Sequence, residues 1–224
     1  MKKIIVLLLG LLVISSSYAQ STVENDKALT TNSTVRYKPL RIAVSIGLGL
    51  RHQFLSDQPY ENEDSEVAFR FPIEVDIDYY FNDYLGCGIT MSKFNVEGNI
   101  AYNGGPQTHK TSTIFIGPVF ASRFFNHSKK NVFNMNFSIG YLNYKDRYFS
   151  SFHNPGQMNL GTVGVLTAFG YDIGLNKNFA IGFQFSMLLG GITKKYGEYP
   201  FYNAYGRQSL SRLNLTIGLR FNSN

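Results

Sequence analysis

From residue 42 the chain alternates without a slip. Ile42, Val44, Ile46, Leu48 and Leu50 are separated by Ala43, Ser45, Gly47 and Gly49, and Arg51 follows. Successive side chains of a strand point to opposite faces, so a period of two builds one apolar face and one small or polar face. The period recurs in about eight stretches: 41–51, 67–81, 84–95, 112–124, 132–147, 159–171, 179–192 and 209–221. In a soluble β protein the apolar faces would turn inward. Here the other faces collect too many Gly, Ser, Asn, Asp, Glu and Arg to be a solvent coat alone, and the chain opens with an export signal. Together these predict an all-β fold, an eight-stranded antiparallel transmembrane β-barrel of the up-and-down meander type, apolar outside and polar inside.

The export signal occupies Met1 to Gln20. Lys2 and Lys3 precede a continuous apolar run, 4–14, which is too short and wrongly flanked for a spanning helix. Ser17-Tyr18-Ala19 supplies the small residues that a signal peptidase reads, so cleavage is expected after Ala19. The predicted organisation is therefore a signal peptide at 1–19, a flexible periplasmic segment at 20–40 and a barrel domain at 41–222. There are 21 basic and 15 acidic residues, and losing Lys2 and Lys3 leaves a mild, dispersed positive charge. That is no footprint for a nucleic acid. Cys87 is the one cysteine, so an internal disulfide is excluded, and it falls on an outward, lipid-facing position. No later segment reaches the roughly 18 apolar residues of a spanning helix, so any membrane crossing must use strands.

The connections alternate in length. Those at 81–84, 126–131 and 174–178 are short and rich in turn-forming residues, whereas 52–66, 96–111, 148–158 and 193–208 are long. Barrels of the bacterial outer membrane have short periplasmic turns and longer outer loops, which puts both termini in the periplasm. Tyr79, Tyr80, Phe81 and Tyr84 cluster at the first short turn, Phe124 and Phe125 at the second, and Tyr171 and Phe179 flank the third. They are read as the inner interfacial girdle, on the periplasmic side. Pro118 lies mid-strand, where a lost ladder donor predicts a local bulge.

At this point the chain resembles a known group. The signal, the strand pattern and segments such as Gly161-Thr162-Val163-Gly164-Val165 and Ala180-Ile181-Gly182-Phe183 look like the small outer-membrane barrels grouped with OmpA, OmpX and OmpW. The abundance of Asn, Lys, Tyr and Phe is similar to the porin-family barrel proteins of Bacteroidota. The resemblance covers about residues 41–222 and rests on pattern and spacing. It implies residence in the outer membrane. Thr216, Gly218 and Phe221 match the polar, glycine and aromatic positions of the terminal signal read by the barrel-assembly machinery, although Asn222, Ser223 and Asn224 follow where the group ends on the aromatic residue. No cell-wall-binding domain follows the barrel, so the anchoring role of full-length OmpA is not expected.

Function is then sought in the lumen and the loops. An eight-stranded barrel is just wide enough for side chains to fill it. Inward positions hold Arg51, Arg70, Glu74, Asp76, Asp78, Arg123, Gln184 and Arg220. Buried charges need partners, so an ion-pair network plugging the lumen is predicted, with a narrow ion path as the alternative and carboxylate acid–base chemistry as a third. The inward glycines Gly47, Gly49, Gly86, Gly88, Gly164, Gly182 and Gly218 form no phosphate-loop motif and are read as curvature and tight interior space. His52, His109, His127 and His153 lack metal-ligand spacing, so no metal and no cofactor are expected. The one adjacent Ser–His pair, His127-Ser128, falls on the periplasmic side, whereas lipid-modifying barrel enzymes use an outer one. The loops are the stronger candidates. The first carries Asp57, Glu61, Glu63 and Asp64; the fourth carries Tyr196, Tyr199, Phe201, Tyr202 and Tyr205. Exposed aromatics give stiff contact area with a polar tip. The predicted role is structural and surface-interacting, without enzymatic activity. The expected partners are outer-membrane lipid and lipopolysaccharide, the assembly machinery during insertion, and a surface ligand of unspecified identity. A narrow channel is the alternative and a lipid-modifying enzyme the third.

Overall fold

The alternation read from the sequence becomes ten strand segments in the computed structural model, which describes residues 39–51, 68–102, 105–126, 130–150, 156–195 and 205–223. They are β1 (Leu40–Arg51), β2 (Ala68–Arg70), β3 (Ile73–Tyr80), β4 (Leu85–Tyr102), β5 (Gly105–Phe125), β6 (Asn131–Ser150), β7 (Gly156–Gly174), β8 (Phe179–Lys195), β9 (Tyr205–Ser209) and β10 (Arg212–Ser223). Each pairs antiparallel with its neighbours, and β10 pairs with both β8 and β1, which closes the barrel. Two of the eight staves are interrupted. Gly49↔Arg70 and Ile46↔Ile73 share one register across Phe71-Pro72, where proline has no N–H to give the ladder. Gly191↔Ser209 and Leu188↔Arg212 likewise share one register across Leu210-Ser211.

The closure is staggered. Ladder partners run from Arg41 to Asp78, Gly88, Val119, Ser138, Leu166, Leu188 and Arg212, and return to β1 at Arg51. One circuit therefore climbs from Arg41 to Arg51 along the same strand, which tilts every stave against the barrel axis. Two of the short turns share one device. Asn82 Oδ1 accepts from the N–H groups of Tyr84 and Leu85, both at 2.8 Å. Asn176 Oδ1 accepts from those of Asn178 and Phe179, both at 2.9 Å.

Large apolar side chains stand on the outside: Val44, Ile46, Ile77, Ile89, Ile217 and Leu219 are among those about half exposed or more. Soluble monomers rarely expose a continuous apolar patch of this kind. A charge in the middle of such a belt is costly. Ile46, which lies between Ile73 and Ile217, is the test position. Ile46→Arg is expected to destabilise the barrel by roughly 2–4 kcal/mol in a refolding titration in lipid.

The structure corrects several sequence expectations. The segments 96–111 and 148–158 are not simple loops. β4 and β5 stay paired as far as Tyr102↔Gly105, and β6 and β7 as far as Tyr148↔Gly156. Backbone pairing continues where the apolar alternation stops. Pro118 makes no bulge. Ile116↔Tyr141 and Val119↔Ser138 keep one register, and only the pairs of Gly117 and Pro118 with β6 are missing. Tyr80 does not join the girdle at the short turns; it is fully buried, whereas Tyr79, Phe81, Tyr171 and Phe179 face outward. Cys87 is exposed, as its outward position requires. The expected signal peptide and most of the segment 20–40 lie outside the described residues.

Candidate functional site: the filled lumen

Inward side chains stack in layers from the end that carries the short turns and both chain ends to the end that carries the long hairpins. The first layer holds Arg123, whose Nε donates to the Asp83 carbonyl at 2.9 Å while its guanidinium lies 3.9 Å from the Tyr80 ring centroid. The second is an ion-pair cluster. Arg41 donates from Nη1 to Asp78 at 2.9 Å and from Nε to Asp172 at 3.0 Å. Arg220 Nε donates to the other Asp172 oxygen at 3.2 Å, and its Nη1 to Ser45 Oγ at 2.7 Å. Asn134 Nδ2 adds a donor to Asp172 at 2.8 Å. All of these groups are buried.

The third layer handles charge differently. Glu74 accepts from five neutral donors: Ser92 and Thr216 at 3.3 Å, Gln184 at 3.1 Å, Asn214 at 2.8 Å and Ser186 at 2.5 Å. Asp76 accepts from Thr90 at 2.6 Å. Gln184 ties the layers together, because its amide nitrogen reaches Glu74 and Asp76 while its oxygen accepts from Arg220 at 3.4 Å. Above this, Arg212 donates to Ser92 at 2.7 Å and to Thr113 at 2.6 Å, and its guanidinium lies 5.1 Å from the Phe94 centroid. Through Ser92 it is one hydroxyl from Glu74. The last layer is apolar: Phe115, Leu142, Tyr144, Leu166, Leu188 and Leu210 are at most 2% exposed. Arg51 sits at its edge, donating to the Ser209 carbonyl at 3.2 Å and lying 5.8 Å from the Tyr144 centroid.

This layered barrel can be compared with known proteins. No protein-family model and no curated protein matches the sequence. Solved structures match in three dimensions. OprG of Pseudomonas aeruginosa superposes with a TM-score of 0.52 at 11% identity, covering 83% of this chain and 97% of that one. Neisserial surface protein A gives 0.51 at 12% identity, covering 81% and 96%. The fold is that of a small outer-membrane β-barrel.

Within that barrel the predicted lumen residues fall into different places. Asp78 and Arg220 enter the ion-pair cluster, while Glu74 and Asp76 lie beside it among neutral donors. Arg51 and Arg123 sit at opposite ends. Arg70 is not buried: it is exposed at the hairpin end, and its Nη2 donates to the Glu97 carbonyl at 2.7 Å. Sequence reading missed Arg41, Asp172 and Arg212. Arg41 shares the inward face of Arg51, which was the available signal. It also missed the apolar layer, whose signal is broken alternation at Ile114-Phe115-Ile116 and Leu188-Leu189.

The predicted assembly residues have visible partners. Thr216 bonds Glu74, Gly218 abuts the backbone of β1, and Phe221 packs on Phe179 at 5.3 Å between centroids. The loop residues Asp57, Glu61, Glu63, Asp64, Tyr196, Tyr199, Phe201 and Tyr202 lie outside the described residues, as do the side chain of Tyr205 and the His127-Ser128 pair. Among the described residues, no three His, Cys, Asp or Glu side chains gather as metal ligands.

Proposed function

We propose that this protein is a resident of the outer membrane whose lumen is closed and whose working surface is its long-hairpin end. In this reading residues 1–19 are a cleaved signal, both termini and the short turns face the periplasm, and the hairpins face outward. The exposed apolar belt supports the membrane location. The observation that carries the closed lumen is the apolar layer around Phe115, Leu142 and Leu188, each fully buried. Packed apolar side chains leave no hydrated path for an ion, and the polar layers beneath hold their charges in hydrogen bonds rather than presenting them to a pore. The role is structural and interactive, without catalysis. Its partners are lipopolysaccharide and a surface ligand, and the assembly machinery through Thr216, Gly218 and Phe221.

Single-channel recording tests the closed lumen. The refolded mature chain in a planar bilayer is expected to be electrically silent, with folding verified separately on the same preparation. Stable, reproducible conductance steps would overturn the reading and make the protein a narrow channel.

A further inference from the structure

The ladder registers of β4–β7 order their outward side chains into rows. One row is Met91, Ile116, Tyr141 and Val163, all exposed, and it belongs to the apolar belt. Asn143 donates to the Tyr141 hydroxyl at 3.4 Å, an apolar ring with a polar tip of the kind that marks a membrane interface. The next row toward the hairpin end is Lys93, Ile114, Asn143 and Gly161. Then come Asn95, Ser112, Lys145 and Asn159, and after them Glu97, Lys110, Arg147 and Gln157. With about 3.3 Å per residue and a tilted strand, neighbouring rows differ in height by roughly 5 Å. Each row also climbs from β4 to β7 with the stagger of the ladder, so Lys93 stands level with Tyr141 at the edge of the belt, and Lys110, Lys145 and Arg147 stand beyond it on the headgroup side.

The charge in these rows is one-sided. Lys93, Lys110, Lys145 and Arg147 face outward, and among the described side chains Glu97 is the one outward carboxylate on these strands. It pairs with Lys110 at 2.8 Å. Lys110 also stands directly opposite Arg147. Arg147 donates from Nε to Gln157 at 3.3 Å, so Glu97 is the one carboxylate set against these opposed cations among the described side chains. The described outward positions of β1, β3 and β10 carry no Lys or Arg. The amides of Asn95 and Asn159 stand between the cations, and the Ser112 hydroxyl donates to Asn95 Oδ1 at 2.8 Å, which leaves the Asn95 amide N–H groups to donate outward.

We propose that this face of β4–β7 binds the phosphates of a phosphorylated glycolipid headgroup in the outer leaflet. The proposal rests on the orientation given above, with the hairpins outward, and names the lipid partner of that end. Each cation supplies one charge to a bis-phosphorylated headgroup, and the interleaved donors satisfy the remaining phosphate oxygens.

The test is a titration of the refolded full chain in zwitterionic micelles with bis-phosphorylated lipid A, with its dephosphorylated form and with phosphatidylglycerol. Lipid A is expected to bind about tenfold or more tighter than either comparison lipid. Joint replacement Lys93→Gln, Lys110→Gln, Lys145→Gln and Arg147→Gln should abolish that preference while the far-UV spectrum stays that of the wild type. Glu97→Gln, which removes the competing carboxylate, should tighten binding. Wild-type affinity in the fourfold variant would overturn the proposal, as would phosphatidylglycerol binding as tightly as lipid A. Orientation is read separately. Asn103→Cys, between β4 and β5 and outside the patch, in a Cys87→Ser background should react with an impermeant maleimide on intact cells. A protected thiol would overturn the hairpins-outward reading, and the outer-leaflet source with it, while the micelle titration still reports whether the patch binds phosphate.

Discussion

Arg41→Met should cost the barrel about 3–5 kcal/mol in a urea titration in lipid vesicles. Among the described residues, Arg41 is the one side chain that contacts both Asp78 and Asp172 through short ion pairs, at 2.9 and 3.0 Å, with every partner buried. Its removal leaves two carboxylates inside the wall with Arg220 on one of them alone. Breaking a buried pair from one side strands the other charge, which is why the loss exceeds that of an exposed pair. The control follows from the same logic. Arg41→Met combined with Asp78→Asn neutralises the carboxylate left without its cation, while Asp172 keeps Arg220, and should recover most of the loss. A single variant within about 1 kcal/mol of the wild type would mean that water reaches the two carboxylates from the short-turn end.

Gly218→Val should prevent assembly altogether. A Cβ at this position would collide with the Val44 carbonyl oxygen and stand 2.6 Å from the Ser45 Cα. Both are backbone atoms on the facing strand β1, so no rotamer can relieve the overlap. Gly218 is thus constrained by the β1–β10 seam and not, as its inward position first suggests, by a crowded lumen. Gly170→Ala is the matched control, because its Cβ would meet nothing closer than 3.5 Å. The measurement is the yield of folded protein in the outer membrane, read by heat-modifiable gel mobility. Normal yield for Gly218→Val would show that β1 and β10 do not pair in this register.

The barrel was legible because lipid imposes its preference residue by residue. Ile42 to Leu50 alternate since each apolar side chain faces the same solvent. Above the belt that pressure ends, so the extension of β4 to Tyr102 left no mark in hydropathy although its backbone ladder continues. The lumen was half legible. Asp78 and Arg220 stood out as charges at inward positions. Asp172 sits one residue past a strand end read as 171, and Arg41 borders a polar lead-in where a cation looks like mere flanking charge. Glu74 shows the other limit. Its charge suggested a cationic partner, yet its five donors are Ser, Thr, Gln and Asn side chains scattered over β4, β8 and β10, which no local pattern could collect. The apolar layer escaped because Phe115 and Leu188 face inward beside outward Ile114, Ile116 and Leu189, and such runs are silent about direction.

The staggered circuit from Arg41 back to Arg51 makes the girth of the protein a shared quantity. No single seam owns it, since the offset is the accumulated shift of every pairing around the wall. A slip of two residues at one seam would keep every side chain on its proper face and yet change the circumference, pulling Arg41 out of reach of Asp172 on the far wall. The cross-lumen bridges therefore fit one stagger alone, and a change of chain length leaves the count around the ring unaltered wherever it falls between the ladders.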